Sequence, residues 1–318
     1  MSAQDLVVTL AHHPTELALI LSLVISLSLT AAISATERAR PWLRAGFQRR
    51  PQILANRGEA IFKNLDDALV MLLLAFLGIF GGSTLFLHLV EALREATWLP
   101  ALDTLFVQTV HTTATRTEIA FFSAITPLAG VYPPILIGAS LAYLLLARRH
   151  FLLCTVWLGG LLGNSILIQT LKSYFARQRP SFENPLLVEA NFSFPSGHAM
   201  TSIFLYGLLA YVCSREFFPY KPGHRNVMIW TLTFLGVLIG TSRPVLGVHY
   251  PSDVLAGWSV AATWLALVIL IAEVLRGRFG PVGELWSVLR RRKDWSRGGA
   301  KPGRPVEAPS ESGESGEA

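Results

Sequence analysis

The sequence predicts an all-α fold, a polytopic membrane helical bundle, and three observations predict it. Hydrophobic residues make up 52% of the 318 positions and charged residues only 15%, where a soluble domain carries roughly a quarter charged. The apolar residues gather into seven long runs, and a bilayer needs about 20 such residues per spanning helix. The basic residues cluster between alternate runs, the pattern left by positive loops kept on the cytoplasmic side. The net charge of +6 therefore reads as orientation in an anionic membrane and not as nucleic-acid binding. Cys154 and Cys213 both fall inside apolar runs and read as small buried hydrophobes. No Cys/His cluster has zinc spacing.

The first fifteen residues lack Lys and Arg and are polar enough to lie outside the bilayer. Leu17 to Ala35 is the first span. The positive segment that precedes the apolar run of a cleavable signal peptide is missing. The positives follow the run instead, at Arg38, Arg40, Arg44, Arg49, Arg50, Arg57 and Lys63. This loop is expected in the cytoplasm, against anionic lipid, with the N-terminus outside. Ala68 to Val90 is the second span, with Gly78, Gly81 and Gly82 as close-packing positions. Between Glu91 and Glu118, the residues Leu99, Leu102, Leu105, Phe106, Thr109 and Val110 recur at helical spacing. That predicts an amphipathic helix on the outer surface.

Ile119 to Ala147 is the third span, where Pro127, Pro133 and Pro134 would kink the helix or split off a short leading one. Arg148, Arg149 and His150 mark a tight cytoplasmic turn. Phe151 to Leu171 is the fourth span and delivers Lys172 to the outer face. Ser173 to Ser196, with Pro180, Pro185 and Pro195, is an extracytoplasmic loop. Ala199 to Cys213, extending toward Phe217, is the fifth span; Arg215, Lys221 and Arg225 put its far end in the cytoplasm. Val227 to Thr241 and Asp253 to Leu275 are the sixth and seventh. Arg276, Arg278 and the cluster Arg290 to Lys293 keep the C-terminus inside, beside anionic lipid. From about Gly298 the chain is rich in Gly, Pro, Ser and Glu, the composition of a disordered tail.

Three polar segments break the charge rule or interrupt the apolar pattern. Lys172 to Pro180 reads K-S-Y-F-A-R-Q-R-P; a Lys point charge and an Arg fork both suit phosphate oxygens. Its plainer reading is snorkelling of cations at a helix end. Phe194 to His198 reads F-P-S-G-H. Ser196 is a good N-cap and Gly197 lets a ligand approach the backbone. The helix start offers free N–H groups to an anion, with His198 beside it; a capped helix with a bystander histidine is the plainer reading. Ser242 to Asp253 reads S-R-P-V-L-G-V-H-Y-P-S-D. Pro251 suits a first helical turn, and Asp253 lies four residues after His249. A carboxylate on one ring nitrogen would leave the other free to attack. The alternative is an Arg243–Asp253 ion pair with His249 merely polar. Arg177 is a further cation without an assigned role.

Topology brings these segments together. Lys172 ends the fourth span, Ser196 opens the fifth, Arg243 ends the sixth and Asp253 opens the seventh, all at the outer face. Three cations, a helix N-terminus and two histidines would meet there. Such a cluster repels itself until an anion such as phosphate binds.

The pattern K-x6-R-P, then P-S-G-H, then S-R-x5-H-x3-D resembles the phosphatidic acid phosphatase type 2 (PAP2) superfamily. The resemblance covers Ala68 to Leu275 and implies a six-helix core, with Leu17 to Ala35 as one extra N-terminal transmembrane helix. It divides the chain into residues 1–67 (extra helix and basic loop), 68–275 (phosphatase core) and 276–318 (basic, then disordered tail). It implies a metal-independent phosphatase without a cofactor, working through a phosphohistidine. By motif position His249 would attack phosphorus, Asp253 would orient it, and His198 would protonate the leaving oxygen. Lys172, Arg179, Ser196, Gly197 and Arg243 would hold the phosphoryl oxygens. The expected reaction is hydrolysis of a lipid phosphate or diphosphate at the extracytoplasmic face of the cytoplasmic (inner) membrane. Candidate substrates are undecaprenyl diphosphate, phosphatidate and phosphatidylglycerol phosphate. The excess of Arg over Lys, 22 against 5, suits a GC-rich bacterium and tilts the choice toward undecaprenyl diphosphate. Phosphotransfer to another lipid or sugar would use the same groups. A non-catalytic lipid-binding protein on this fold is a third reading, against which the intact triad argues.

Overall fold

The structure, a computed structural model, describes residues 2–47, 55–217 and 222–279, with side chains for 2–35, 75–217 and 223–276. Arg49, Arg50, Lys221, the cluster Arg290 to Lys293 and the Gly/Pro/Ser/Glu-rich end lie outside these residues. So do the side chains of Arg38, Arg40, Arg44, Arg57, Lys63 and Arg278.

Among the described residues ten α-helices follow one another: α1 (Ala3–His12), α2 (Pro14–Phe47), α3 (Ala55–Glu95), α4 (Trp98–Thr113), α5 (Arg116–Ile125), α6 (Tyr132–Ala147), α7 (Phe151–Phe175), α8 (Gly197–Glu216), α9 (Pro222–Val245) and α10 (Pro251–Phe279). Six contain a segment long and apolar enough to cross a membrane: Pro14–Ala35, Ala75–Glu95, Phe151–Phe175, Gly197–Glu216, Gly223–Val245 and Pro251–Arg276. The pair α5 and α6, bent by 42° at the break between them, passes the same test when taken together, which makes seven if the pair is one span. The break is a 3-10 turn over Thr126–Ala129 with Pro127 in its first turn, and Pro133 and Pro134 open α6. Prolines lack the N–H that a continuous helix needs there. The chain is a multi-pass helical membrane protein.

Two features of the N-terminal third were not anticipated. Residues 3–12 form a helix, closed by a Ser2–Asp5 capping box. Of the three glycines of α3, a Cβ at Gly78 would meet Ala266 at 2.8 Å and one at Gly82 would meet Thr263 at 2.4 Å, while Gly81 faces open space. Close packing against α10 therefore uses two of the three.

α8 is the centre of the bundle. Phe204, Leu205 and Leu208 are fully buried, and Trp157 of α7 packs into the same core. The Trp157 indole N–H donates to the Gly138 carbonyl at 2.9 Å, so its apolar ring is buried without leaving the polar end unsatisfied. A second apolar cluster joins Ala11, Ala18, Val110, Phe122 and Leu246. It fastens α1, α2 and α4 over the turn that follows α9.

Candidate active site

Four helix ends meet at one end of the bundle: the C-termini of α7 and α9 and the N-termini of α8 and α10. α7 stops because Ala176 turns left-handed at φ +48°, and the chain doubles back over the bundle. Ser193 N–H donates to the Arg177 carbonyl at 2.8 Å, closing that excursion. Ser196 caps α8, and its own N–H donates to the Asp253 carbonyl at 3.0 Å. After α9, Gly247 takes φ +73°, a region open to glycine at little steric cost. The resulting turn returns His249 and Asp253 to the mouth of the bundle.

His249 is buried between two kinds of partner. Its Nδ1 lies 3.4 Å from Asp253 Oδ2 and 3.3 Å from the Ser193 hydroxyl. Its Nε2 lies 3.0 Å from Arg179 Nη1. Guanidinium N–H groups only donate, so Nε2 is the acceptor nitrogen and the ring proton resides on Nδ1, facing Asp253. Burial drives the His249 pKa down to about 4; Asp253 opposes this, and Arg179 and Arg243 add to it. The imidazole is therefore neutral near pH 7, with its unprotonated nitrogen toward the cations.

Asp253 is fully buried and both its oxygens are held. Oδ2 accepts from Ser193 Oγ and, at 2.9 Å, from the Tyr250 N–H. Oδ1 accepts from Arg177 Nη1 at 2.6 Å. Arg243 does not pair with Asp253, so the alternative of an Arg243–Asp253 bridge is not the arrangement found.

The cations hold an internal carboxylate. Glu189, in the segment between α7 and α8, pairs with Arg243 Nη2 and with Arg179 Nη2 at 3.2 Å. His198 Nδ1 stands 4.0 Å from the same carboxylate. Burial alone would raise the Glu189 pKa, but Arg243, His198 and Arg179 outweigh it and hold it below the usual range. Arg243 is fully buried and donates to Thr126 at 2.5 Å. Its Nε has no hydrogen-bond partner among the described residues, a donor left available to a further oxygen. Lys172 Nζ donates to the Phe192 carbonyl at 2.5 Å. At Gly197 an added Cβ would meet only ordinary contacts, Ile168 at 3.4 Å and Lys172 Cε at 3.6 Å.

All eight residues singled out in the sequence thus lie at this end of the bundle. Four neighbours carried no motif. Arg177 was visible as an unassigned cation; Glu189 and Ser193 sit in an irregular segment whose path no pattern reveals. Asp103 lies on the buried stripe of α4 with Val107 and Val110, and a carboxylate on an apolar face was the available signal. Its Oδ1 accepts from the Ser252 N–H at 3.0 Å, and its Oδ2 from Arg177 Nη2 at 2.8 Å.

Residues 152–276 match the PAP2 superfamily. Phosphatidylglycerophosphatase B of Bacillus subtilis is 38% identical over 103 residues, covering 32% of this chain and 50% of that protein. Lipid A 1-phosphatase of Rhizobium etli is 30% identical over 153 residues, covering 44% of this chain and 57% of that protein. The chain thus spans about half the length of the curated relatives it matches. The crystal structure of a transmembrane PAP2-type phosphatidylglycerolphosphate phosphatase from Bacillus subtilis superposes with a TM-score of 0.53 at 27% identity. That match covers 62% of this chain and 96% of the other.

Proposed function

We propose, from the premise that residues 152–276 carry a PAP2 superfamily domain, that this chain is a lipid phosphate phosphatase acting through a phosphohistidine. The observation that carries the reading is the Glu189 carboxylate, gripped by Arg179 and Arg243 in front of His198. It supports an anion site beside His249 Nε2, which gives up its hydrogen bond from Arg179 when the phosphoryl group draws that guanidinium to its own oxygens. A phosphoryl group entering that site displaces Glu189 and takes its cations, with Lys172, the Arg243 Nε and the Ser196–Gly197 start of α8 as further donors.

In the proposed cycle His249 Nε2 attacks phosphorus and the P–O bond to the lipid breaks. His198 protonates the departing oxygen. Water, giving a proton back to His198, then attacks the phosphohistidine; inorganic phosphate leaves and neutral His249 returns. Asp253 keeps the ring proton on Nδ1 and faces the positive charge that the ring gains on phosphorylation. Such transfers need mainly positioning and neutralisation of the equatorial oxygens, which three cations supply.

Substrate and orientation extend the same proposal. Arg148, Arg149, Arg215 and Arg276 lie at the opposite helix ends from the site, which by the positive-inside rule supports a site on the extracytoplasmic face of the cytoplasmic membrane. A lipid headgroup arrives at that level of the bilayer. The relatives' names put phosphatidylglycerol phosphate and lipid A 1-phosphate beside undecaprenyl diphosphate and phosphatidate. The test is phosphate release by the purified protein in detergent from each of these four lipids, with and without EDTA, beside His249→Ala. Release from at least one lipid, unaffected by EDTA and abolished in the variant, is expected. Release from none, or equal release by the variant, overturns the reading.

A further inference from the structure

We propose that Asp103 and Arg177 are positioning residues for the reaction, acting on His249 through Asp253. The geometry is a chain of alternating charge, buried at Asp103, Asp253 and His249 and partly exposed at Arg177: Asp103 Oδ2 to Arg177 Nη2 at 2.8 Å, Arg177 Nη1 to Asp253 Oδ1 at 2.6 Å, and Asp253 Oδ2 to His249 Nδ1 at 3.4 Å. Arg177 spans the two carboxylates with its two terminal nitrogens, a fork that no lysine reproduces. The guanidinium also lies over the Tyr250 ring, 4.2 Å from its centroid, and donates to Ser252 Oγ at 2.8 Å. Asp103 holds the Ser252 N–H and hydroxyl, which ties it to the first turn of α10. Asp103 lies in α4, outside the residues that match the superfamily.

Charge explains why two residues are needed. Arg177 fixes the plane of the Asp253 carboxylate but also cancels its charge. Asp103 restores one net negative charge to the trio. That charge faces the imidazole ring, which turns cationic when Nε2 accepts a phosphoryl group. Arg177 without Asp103 would orient Asp253 while weakening what it does for the phosphohistidine.

The inference rests on the phosphohistidine reading, and its test separates the two. Besides Asp103 and Arg177, the charged and titratable groups around His249 are Lys172 of α7, Arg179 and Glu189 of the segment after α7, His198 of α8, Arg243 of α9, Tyr250 of the turn before α10 and Asp253 of α10. All stay in place in Asp103→Asn and Arg177→Gln. Each variant is expected to lower kcat by about 10- to 100-fold, the scale of a nucleophile misplaced by an ångström, with KM within about twofold of wild type because neither residue meets substrate. The acid limb of the pH profile reads the sign. Losing the Asp103 charge moves it to lower pH and losing the Arg177 charge moves it to higher pH, about half a unit each way. A merely structural role predicts no such opposition. Arg177→Lys keeps the charge but not the fork; it is expected to lose kcat without moving the limb, and it serves if either first variant fails to fold. Wild-type kcat in the variants, shifts in the same direction, or a KM effect with kcat intact overturns the inference. Absence of His249-dependent release by the wild type overturns the phosphatase reading instead.

Discussion

Arg243 is fully buried at the end of α9 and is neutralised by Glu189, a residue 54 positions earlier in an irregular segment. A buried cation without a partner costs several kcal/mol, and the Glu189 carboxylate supplies that partner from within the chain. Glu189→Gln keeps an acceptor for Arg243 and removes the charge. Orthovanadate and inorganic phosphate should then bind about tenfold tighter, the scale of one charged hydrogen bond no longer competed for, and KM for the lipid should fall. The same variant should melt at lower temperature without ligand and recover when phosphate is added. Inhibition constants and melting curves in detergent check both. Unchanged vanadate inhibition would show that Glu189 does not share the site.

His249 sets the second expectation, an acid limb far below that of an ordinary histidine. Its pKa is lowered to about 4 by burial, against an unperturbed value of about 6.5. As the proposed nucleophile His249 must be neutral, so activity is expected to persist as pH falls through 6.5 and to be lost near 4. A profile of kcat/KM against pH reports this free-enzyme value. Stability follows the same sign. The unfolded chain takes up the proton near 6.5, so the stability of the neutral buried ring is complete above that and declines toward pH 4. An acid limb centred near 6.5 would show that the ring is hydrated in the working enzyme.

What the sequence revealed and what it hid divide along one physical line. Spans follow from length and hydropathy, which are local, so the six long apolar helices were legible, as was the proline break within the bent α5–α6 pair. The meeting of Lys172, Ser196, Arg243 and Asp253 was legible because alternating spans fix which helix ends share a face. Partners set by side-chain path were not. Nothing local distinguishes Glu189 from Glu183, yet among the described residues one is bound by two arginines and the other forms no such pair. Asp103 was read as part of a surface helix, whereas its apolar stripe packs inward and carries that carboxylate into the site.

Gly257 tests whether the α8–α10 contact sets the site geometry. A Cβ there would stand 2.8 Å from the Ser196 carbonyl oxygen and 3.1 Å from the Ala199 Cβ, both parts of a capped helix start that has little room to move. Gly257→Ala should push α10 away from α8 and stretch the Ser196 N–H to Asp253 carbonyl bond. Overpacking of this kind costs about 1–3 kcal/mol, and kcat should fall with stability because Asp253 rides on the displaced turn. Melting temperature and kcat measured on the same preparation check it. A destabilised variant with wild-type kcat would uncouple the contact from the site.

Glu273 provides the counterpart at the opposite helix ends. It accepts from the Tyr211 hydroxyl at 2.8 Å and pairs with Arg215, while Glu216 nearby pairs with His150 at 3.0 Å. These contacts fasten α8 to α10 and α7 far from His249. Replacing Glu273 by Gln keeps the Tyr211 acceptor and loses the ion pair, whose arginine side chain is half exposed, so stability should change by less than about 1 kcal/mol. Glu273→Leu also strands the Tyr211 hydroxyl, a partly buried donor, and should cost about 1–3 kcal/mol. Neither variant touches the four helix ends that form the site, so kcat and the pH profile should both match wild type. A shifted acid limb in Glu273→Leu would mean that the two ends of the bundle are coupled through α8 or α10, and that the site is not the locally determined unit that its hydrogen bonds describe.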